Sequence, residues 1–377
     1  MLLERSIHQS AKIGYMITLY SLIECFFVFA FTFILYKNNI HIIFGLLPLY
    51  FILKGRMYKS TSLFILLFFL LIVLYYVHDG IPGAYRVLKT IVVLLPVYYT
   101  NFLHGAKRSL GQVFRVFMTV NALLVCVDFV LYLTIGKTIM SFTESGIMPR
   151  PCGLLEDSNF FSYLMLISIF YYRWQDGRFT KLFVLSLFLS GSFSAIISFV
   201  VLCLIYKFIR TGRLCNMRLK VLYIMVTLLI IFIYDRVAIY PEDMLYILSK
   251  LDVNDLIKVK FMSMTHRFTT VSNAMGAIDG IEDILLGIGA GKTRALSDIG
   301  LNLHNSFLQM FLEMGGILTS LVVIVLLYML WHIRQIQYVI LFCMILILSS
   351  IMETFYNPLL AFVYYISFLD KNYCSYV

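Results

Sequence analysis

The chain has 377 residues and a formal net charge of +10; it is 61% apolar, only 13% charged, and its mean hydropathy is +0.90. About a quarter of the residues of a soluble protein are charged, so this chain cannot cover most of its surface with groups that water solvates. Its apolar runs are long and continuous, which excludes a membrane β-barrel built from alternating ~10-residue strands. The basic residues fall in short gaps between those runs rather than in one patch, which excludes a nucleic-acid partner as the reason for the charge.

A spanning helix needs ~20 mostly apolar residues, with a lower limit near 17. The polar, basic start of the chain is followed by a run long enough to span, so it reads as a retained helix and not as a cleaved signal. In chain order the hydropathy predicts helices at Ile13–Tyr36, Ile40–Leu53, Thr61–Val77, Val87–Leu103, Gly111–Gly136 and Asn159–Tyr172, then the uncharged run Leu182–Tyr206, then Leu219–Ile239, Gly315–Trp331, Ile336–Met352 and Thr354–Leu369. Leu182–Tyr206 has basic residues on both flanks: Arg173, Arg178 and Lys181 before it, and Lys207, Arg210, Arg213, Arg218 and Lys220 after it. Basic flanks favour the cytoplasm, and a single span would put one of them outside. The sequence Leu189-Ser-Gly-Ser-Phe-Ser-Ala195 in its middle therefore reads as a break between two short helices. That gives an all-α polytopic membrane protein with about twelve transmembrane helices, both termini cytoplasmic, in a single integral membrane domain over residues 1–377.

Two outside segments exceed simple turns: an outer loop at 137–158 and a large periplasmic loop at 240–303. Loops longer than 12–15 residues are usually functional or disordered. The second loop keeps helical periodicity, with Phe268, Val271, Met275 and Ile278 on one face, so it is expected to be partly helical. Of the cysteines only Cys152 lies in an outside loop, and no Cys/His spacing fits a zinc site.

The chemistry-bearing residues concentrate outside. Gly287-Ile-Gly-Ala-Gly-Lys-Thr293 resembles a nucleotide P-loop but places three residues, not four, before its Gly-Lys, and no strand precedes it. Its glycines instead suit a tight backbone course, with Lys292 and Arg294 as accessory anion-binding candidates. Asn302 is placed to cap a helix that begins near Asn305 or Ser306. His304 would then sit at a helix N-terminus, whose partial positive charge favours the neutral imidazole, a proton acceptor. Arg150 opens Arg150-Pro-Cys-Gly-Leu154, and Glu156-Asp157-Ser158-Asn159 opens the next helix. Arg267 begins the amphipathic stretch of the large loop. Arginine forks and helix N-termini both favour phosphate oxyanions. Within the spans, Asp128 is expected to be structurally paired, with Arg86 or Lys89 as partner.

Arg150-x-x-Gly153-Leu154, Asn159 entering a span, and then a long outside loop with Arg267, Gly287-x-Gly289, His304-Asn305-x-Phe-Leu-Gln309 and Glu313-x-Gly-Gly-Ile317 resemble the O-antigen polymerase and O-antigen ligase superfamily. The resemblance covers roughly Arg150 to Ile317. Before that the chain is similar only in hydropathy. The family often carries Ser-Arg-Gly at its middle helix break; here that place reads Ser192-Phe-Ser-Ala195, without an arginine. The resemblance implies a GT-C-like glycosyltransferase that uses no metal and no other cofactor. Its donor would be an oligosaccharide on undecaprenyl diphosphate at the outer face of a bacterial cytoplasmic membrane. It implies His304 as the catalytic residue acting on the acceptor hydroxyl, Arg150 and Arg267 on the diphosphate, and Asn305, Glu156 and Asp157 as accessory residues. The expected partners are membrane lipid and a chain-length regulator and flippase of the same pathway. The same chemistry would serve a polymerase of repeat units or a ligase that moves the glycan to another acceptor. A lipid-linked oligosaccharide flippase is the alternative without chemistry.

Overall fold

The computed structural model describes the backbone of residues 59–99, 107–140, 142–144, 149–155, 158–173, 179–209, 215–238, 275–296 and 306–351, with a few isolated positions besides. The described residues are mostly helical. Among the described residues, three helical stretches have the length and composition to cross a membrane: Leu66–Ile91, Arg115–Ile135 and Phe307–His332. The chain is a membrane protein by this measure, and it divides into two compact units. The all-α expectation needs one amendment. The segment 137–158, expected as a loop, holds a small antiparallel hairpin, β1 (Phe142–Glu144) with β2 (Pro149–Pro151), in which Thr143 faces Arg150.

One unit contains α2 (Lys107–Ile135), the hairpin, a 3-10 turn at Gly153–Leu155, α3 (Ser158–Arg173), α4 (Thr180–Leu189) and α5 (Phe193–Phe208). A helix that is apolar all round belongs in an interior. In α3, every residue from Phe160 to Tyr171 is buried. α5 buries one stripe, Ala195, Ser198, Leu202 and Tyr206, and exposes Ile197, Val200 and Leu204, as a helix does when lipid covers its outer face. α2 stops at Gly136, which takes φ +66° and whose N–H donates to the Tyr132 carbonyl, a left-handed helix end. Asp128 is structural, as expected, but its partners are backbone. Its Oδ1 accepts from the amides of Ile139 at 2.7 Å and Met140 at 3.3 Å, holding the chain as it leaves α2.

The other unit contains most of α1 (Lys59–Tyr99), α6 (Met217–Ala238), α7 (Ile281–Leu286), α8 (Lys292–Ala295), α9 (Ser306–His332) and α10 (Ile336–Ile351). α1 has 41 residues, about 60 Å if straight and twice the hydrocarbon thickness of a bilayer. It is not straight. Gly80 takes φ +67° and ψ −149° inside it. A Cβ built on Gly83 would come within 2.7 Å of the Tyr75 carbonyl, residues that a straight helix separates by about 12 Å. The two arms therefore fold toward each other at Gly80. The predicted gap between Val77 and Val87 shrinks to that one glycine, and Arg86 belongs to the second arm instead of a loop. α9 begins at Ser306, where the Asn302 capping pattern places a helix start, and continues into the span predicted from Gly315; the departure from expectation is the break at Gly315, with φ +69°. α6 joins the α9–α10 turn through the Cys215 N–H, which donates to the Arg334 carbonyl at 2.7 Å, and through Lys220, whose buried Nζ donates to the Trp331 carbonyl near the end of α9.

Candidate functional site

The expected break in Leu182–Tyr206 is present. α4 ends at Leu189, α5 begins at Phe193, and Gly191 between them takes φ +64°. Helix ends leave backbone groups without intrahelical partners, and hydroxyl side chains crowd this one. The Ser162 and Ser190 hydroxyls lie 2.5 Å apart, and the Tyr163 and Ser194 hydroxyls 3.0 Å apart. Arg150, carried by β2, reaches this break. Its Nη2 donates to Asn159 Oδ1 at 2.7 Å, and its Nε lies 3.4 Å from the Ser190 carbonyl. Ser192 Oγ donates to the same Asn159 oxygen at 3.0 Å. A Cβ on Gly191 would press on the Arg150 stem at 3.3 Å, so the glycine both turns the chain and makes room for the arginine. The loop below is fixed by Asn121, whose Oδ1 accepts the Leu154 N–H at 3.1 Å. Glu156 and Asp157 lie outside the described residues.

In the other unit the glycine-rich segment after α7 docks on the break in α9. With Gly315 non-helical, the carbonyls of Leu312 and Glu313 accept from outside their own helix: the Ile288 N–H at 2.8 Å and the Gly289 N–H at 3.2 Å. The approach is so close that a Cβ on Gly287 would overlap the Glu313 carbonyl, and one on Gly315 would overlap the carbonyl of Leu285. The two residues before the α1 break complete the seat. Asp79 Oδ2 accepts the Ala290 N–H at 2.7 Å. His78 Nε2 lies 2.8 Å from the Gly287 carbonyl, which can only accept, so that nitrogen carries the hydrogen; Nδ1 lies 3.3 Å from Glu282 Oε1. The amides of residues 288–290 are thus used by two helix carbonyls and a carboxylate. The glycines serve close backbone packing, as expected, and those three amides form no phosphate cradle. Lys292 and Arg294 extend exposed side chains from α8.

Beneath this seat lies a buried charge. Glu313 Oε1 accepts from the Thr293 hydroxyl and from Gln309 Nε2 at 3.2 Å. Its Oε2 is 2.6 Å from Arg86 Nη1, an ion pair by distance whose angles fall short of a directed hydrogen bond. The Glu313 side chain is wholly buried and that of Arg86 is 23% exposed. One carboxylate thereby ties together α1, α8 and α9.

His304, Asn305 and Arg267 lie outside the described residues. The helix expected to begin at Asn305 or Ser306 begins at Ser306, two residues beyond His304. In the sequence Asn159, Gln309, Glu313 and Thr293 stand out only as members of longer patterns, and His78 and Asp79 carry no motif. The run His78-Asp-Gly-Ile-Pro-Gly83, polar and turn-forming between two apolar stretches, was the available signal. Searched against known proteins, the chain matches no family model and no curated protein.

Proposed function

We propose that this chain is a membrane glycosyltransferase that polymerises oligosaccharide repeat units carried on undecaprenyl diphosphate, at the outer face of a bacterial cytoplasmic membrane. The observation that carries the proposal is the seat of Arg150. The resembling family often carries an arginine within its middle helix break. Here the break itself has none, and an arginine from the preceding hairpin supplies a guanidinium to it, held by Asn159 beside Ser190 and Ser192. A guanidinium presented at a hydroxyl-rich helix break is suited to an oxyanion. In the same proposal the chain crosses the membrane about twelve times, in a GT-C-like arrangement with both termini cytoplasmic.

In this reading the acceptor hydroxyl attacks the anomeric carbon of the donor. A carbon–oxygen bond forms there as the bond to the diphosphate breaks. The electron pair leaves with lipid diphosphate, and the hydroxyl proton passes to His304. Arg150 and Arg267 neutralise the charge that grows on the leaving diphosphate, which lowers the barrier only to the extent that they bind the transition state better than the ground state. No metal is invoked, because the guanidinium groups take the role a cation would have.

A second reading draws on the helix breaks at Gly80 and Gly315, since discontinuous helices are common at the substrate sites of transporters. One experiment separates the readings: delete the gene and run the surface glycan on a gel. A ladder that collapses to single repeat units supports a polymerase. Full-length polymer stranded on its lipid means a ligase, and repeat units trapped on the inner face mean a flippase.

A further inference from the structure

We propose that α7 and the turn after it form a membrane-surface contact, with Ile281, Ile284 and Leu285 resting at the boundary between headgroups and acyl chains of an anionic bilayer. Spacings of three and four residues place these side chains on one helical face. They are 75%, 45% and 46% exposed, so each keeps a large apolar surface open. Glu282 and Asp283 fall off that face: Glu282 Oε1, on a side chain 75% exposed, lies 3.3 Å from His78 Nδ1, and Asp283 Oδ2 accepts the Asp279 N–H at 2.8 Å.

Two further observations identify the occupant as lipid. The first is continuity. The Leu285 carbonyl abuts Gly315, and the Ile284 carbonyl would lie 3.3 Å from a Cβ on Gly316. The next residue, Ile317, is itself exposed and begins the outward apolar row Ile317, Val323, Ile324, Leu327 and Trp331 of a candidate span. The apolar face of α7 therefore adjoins the exposed apolar row of a stretch long and apolar enough to cross a membrane. The second is charge. Lys292 and Arg294 of α8 are exposed just beyond the glycine segment, and basic side chains flanking an apolar face are the pattern that anionic headgroups attract. The contact does not depend on the activity proposed above.

The test uses the full-length chain in lipid vesicles, with Trp174 and Trp331 changed to Phe and one tryptophan returned as Ile281→Trp or, separately, Ile284→Trp. Ile281 is exposed enough to take the larger ring without repacking. Both probes should be quenched at least about twofold more by lipids brominated near the headgroup than by lipids brominated near the chain end, and should be shielded from aqueous acrylamide. Free quenching by acrylamide with none from brominated lipid would overturn the contact, and strongest quenching from the chain ends would overturn its placement at the boundary. Quenching should also rise when anionic lipid replaces zwitterionic lipid. That rise should be lost in Lys292→Gln/Arg294→Gln; its persistence there would remove the electrostatic part of the proposal.

Discussion

Glu313 holds a charge where water does not reach, and Arg86 is what makes that tolerable. The side chains differ in burial, 0% against 23% exposed, so the two ways of breaking the pair are not equivalent. Arg86→Met leaves a carboxylate buried with only neutral donors around it. Glu313→Gln leaves a guanidinium that can still turn partly toward polar surroundings, and glutamine keeps an oxygen for Thr293 and Gln309. Breaking a buried pair typically costs 3–5 kcal/mol, mostly as the penalty for the charge left behind. Arg86→Met should therefore destabilise more than Glu313→Gln, and the double variant should lie closer to wild type than Arg86→Met alone, with a coupling above about 1 kcal/mol. Thermal unfolding in detergent reads all three. Additive losses would show that the pair does not interact as its distance implies. At the same scale, His304→Ala should abolish polymer in cells while the protein still accumulates in the membrane, and long glycan from that variant would end its catalytic assignment. Arg150→Lys should be nearly as severe. An ammonium cannot span both Asn159 Oδ1 and the Ser190 carbonyl while presenting a planar face. Wild-type polymer from Arg150→Lys would argue against a diphosphate role.

At the scale of elements, the question is which glycines the packing needs. Gly315 combines a positive φ with backbone contact to Leu285, and Gly287 combines a positive φ with contact to Glu313. Gly291 has a positive φ but open space, and Gly276 has open space without a positive φ. Alanine at Gly315 or Gly287 should cost more than about 2 kcal/mol, because steric overlap adds to left-handed strain. Alanine at Gly291 should cost the strain alone, about 1–2 kcal/mol, and at Gly276 within about 0.5 kcal/mol. Melting temperatures of the purified variants should fall in that order; a Gly315→Ala protein as stable as Gly276→Ala would refute the interlock. These breaks also mark how far the sequence could be read. The one at Ser190–Ser192 was legible because basic residues on both sides of an uncharged run conflict with a single crossing. The one at Gly80 was legible in place but not in width, since hydropathy registers polarity and cannot foresee that one left-handed glycine makes the turn, leaving Arg86 inside a helix. The one at Gly315 was invisible: Gly-Gly before an apolar run reads equally well as the start of a span. The docking of His78 and Asp79 on Gly287–Ala290 joins segments some two hundred residues apart, and no local periodicity records such a contact.

At the scale of the whole molecule, sidedness decides whether an outside catalytic face exists. It hinges on the broken run between Arg178 and Arg213. If α4 and α5 are two short helices meeting at Ser190–Ser192 and returning to the side they left, both basic flanks are cytoplasmic, and everything after them keeps the orientation that puts 240–303 outside. A single crossing would invert every later segment and place the glycine-rich seat in the cytoplasm, where a lipid-linked repeat unit delivered to the outer face could not reach it. Cysteine labelling separates these cases. Native cysteines are removed first, including Cys215, whose thiol burial pushes up while the neighbouring Lys220 ammonium pulls it partly back, so that less of it is thiolate and it reacts slowly at neutral pH. In that background Arg178→Cys and Arg213→Cys should both resist a membrane-impermeant maleimide in intact spheroplasts and both react in inverted vesicles, while Lys137→Cys should do the reverse. Labelling of Arg178→Cys and Arg213→Cys from opposite faces would make the run a single span, turn the later half of the chain over, and remove the outer-face glycosyltransferase reading with it.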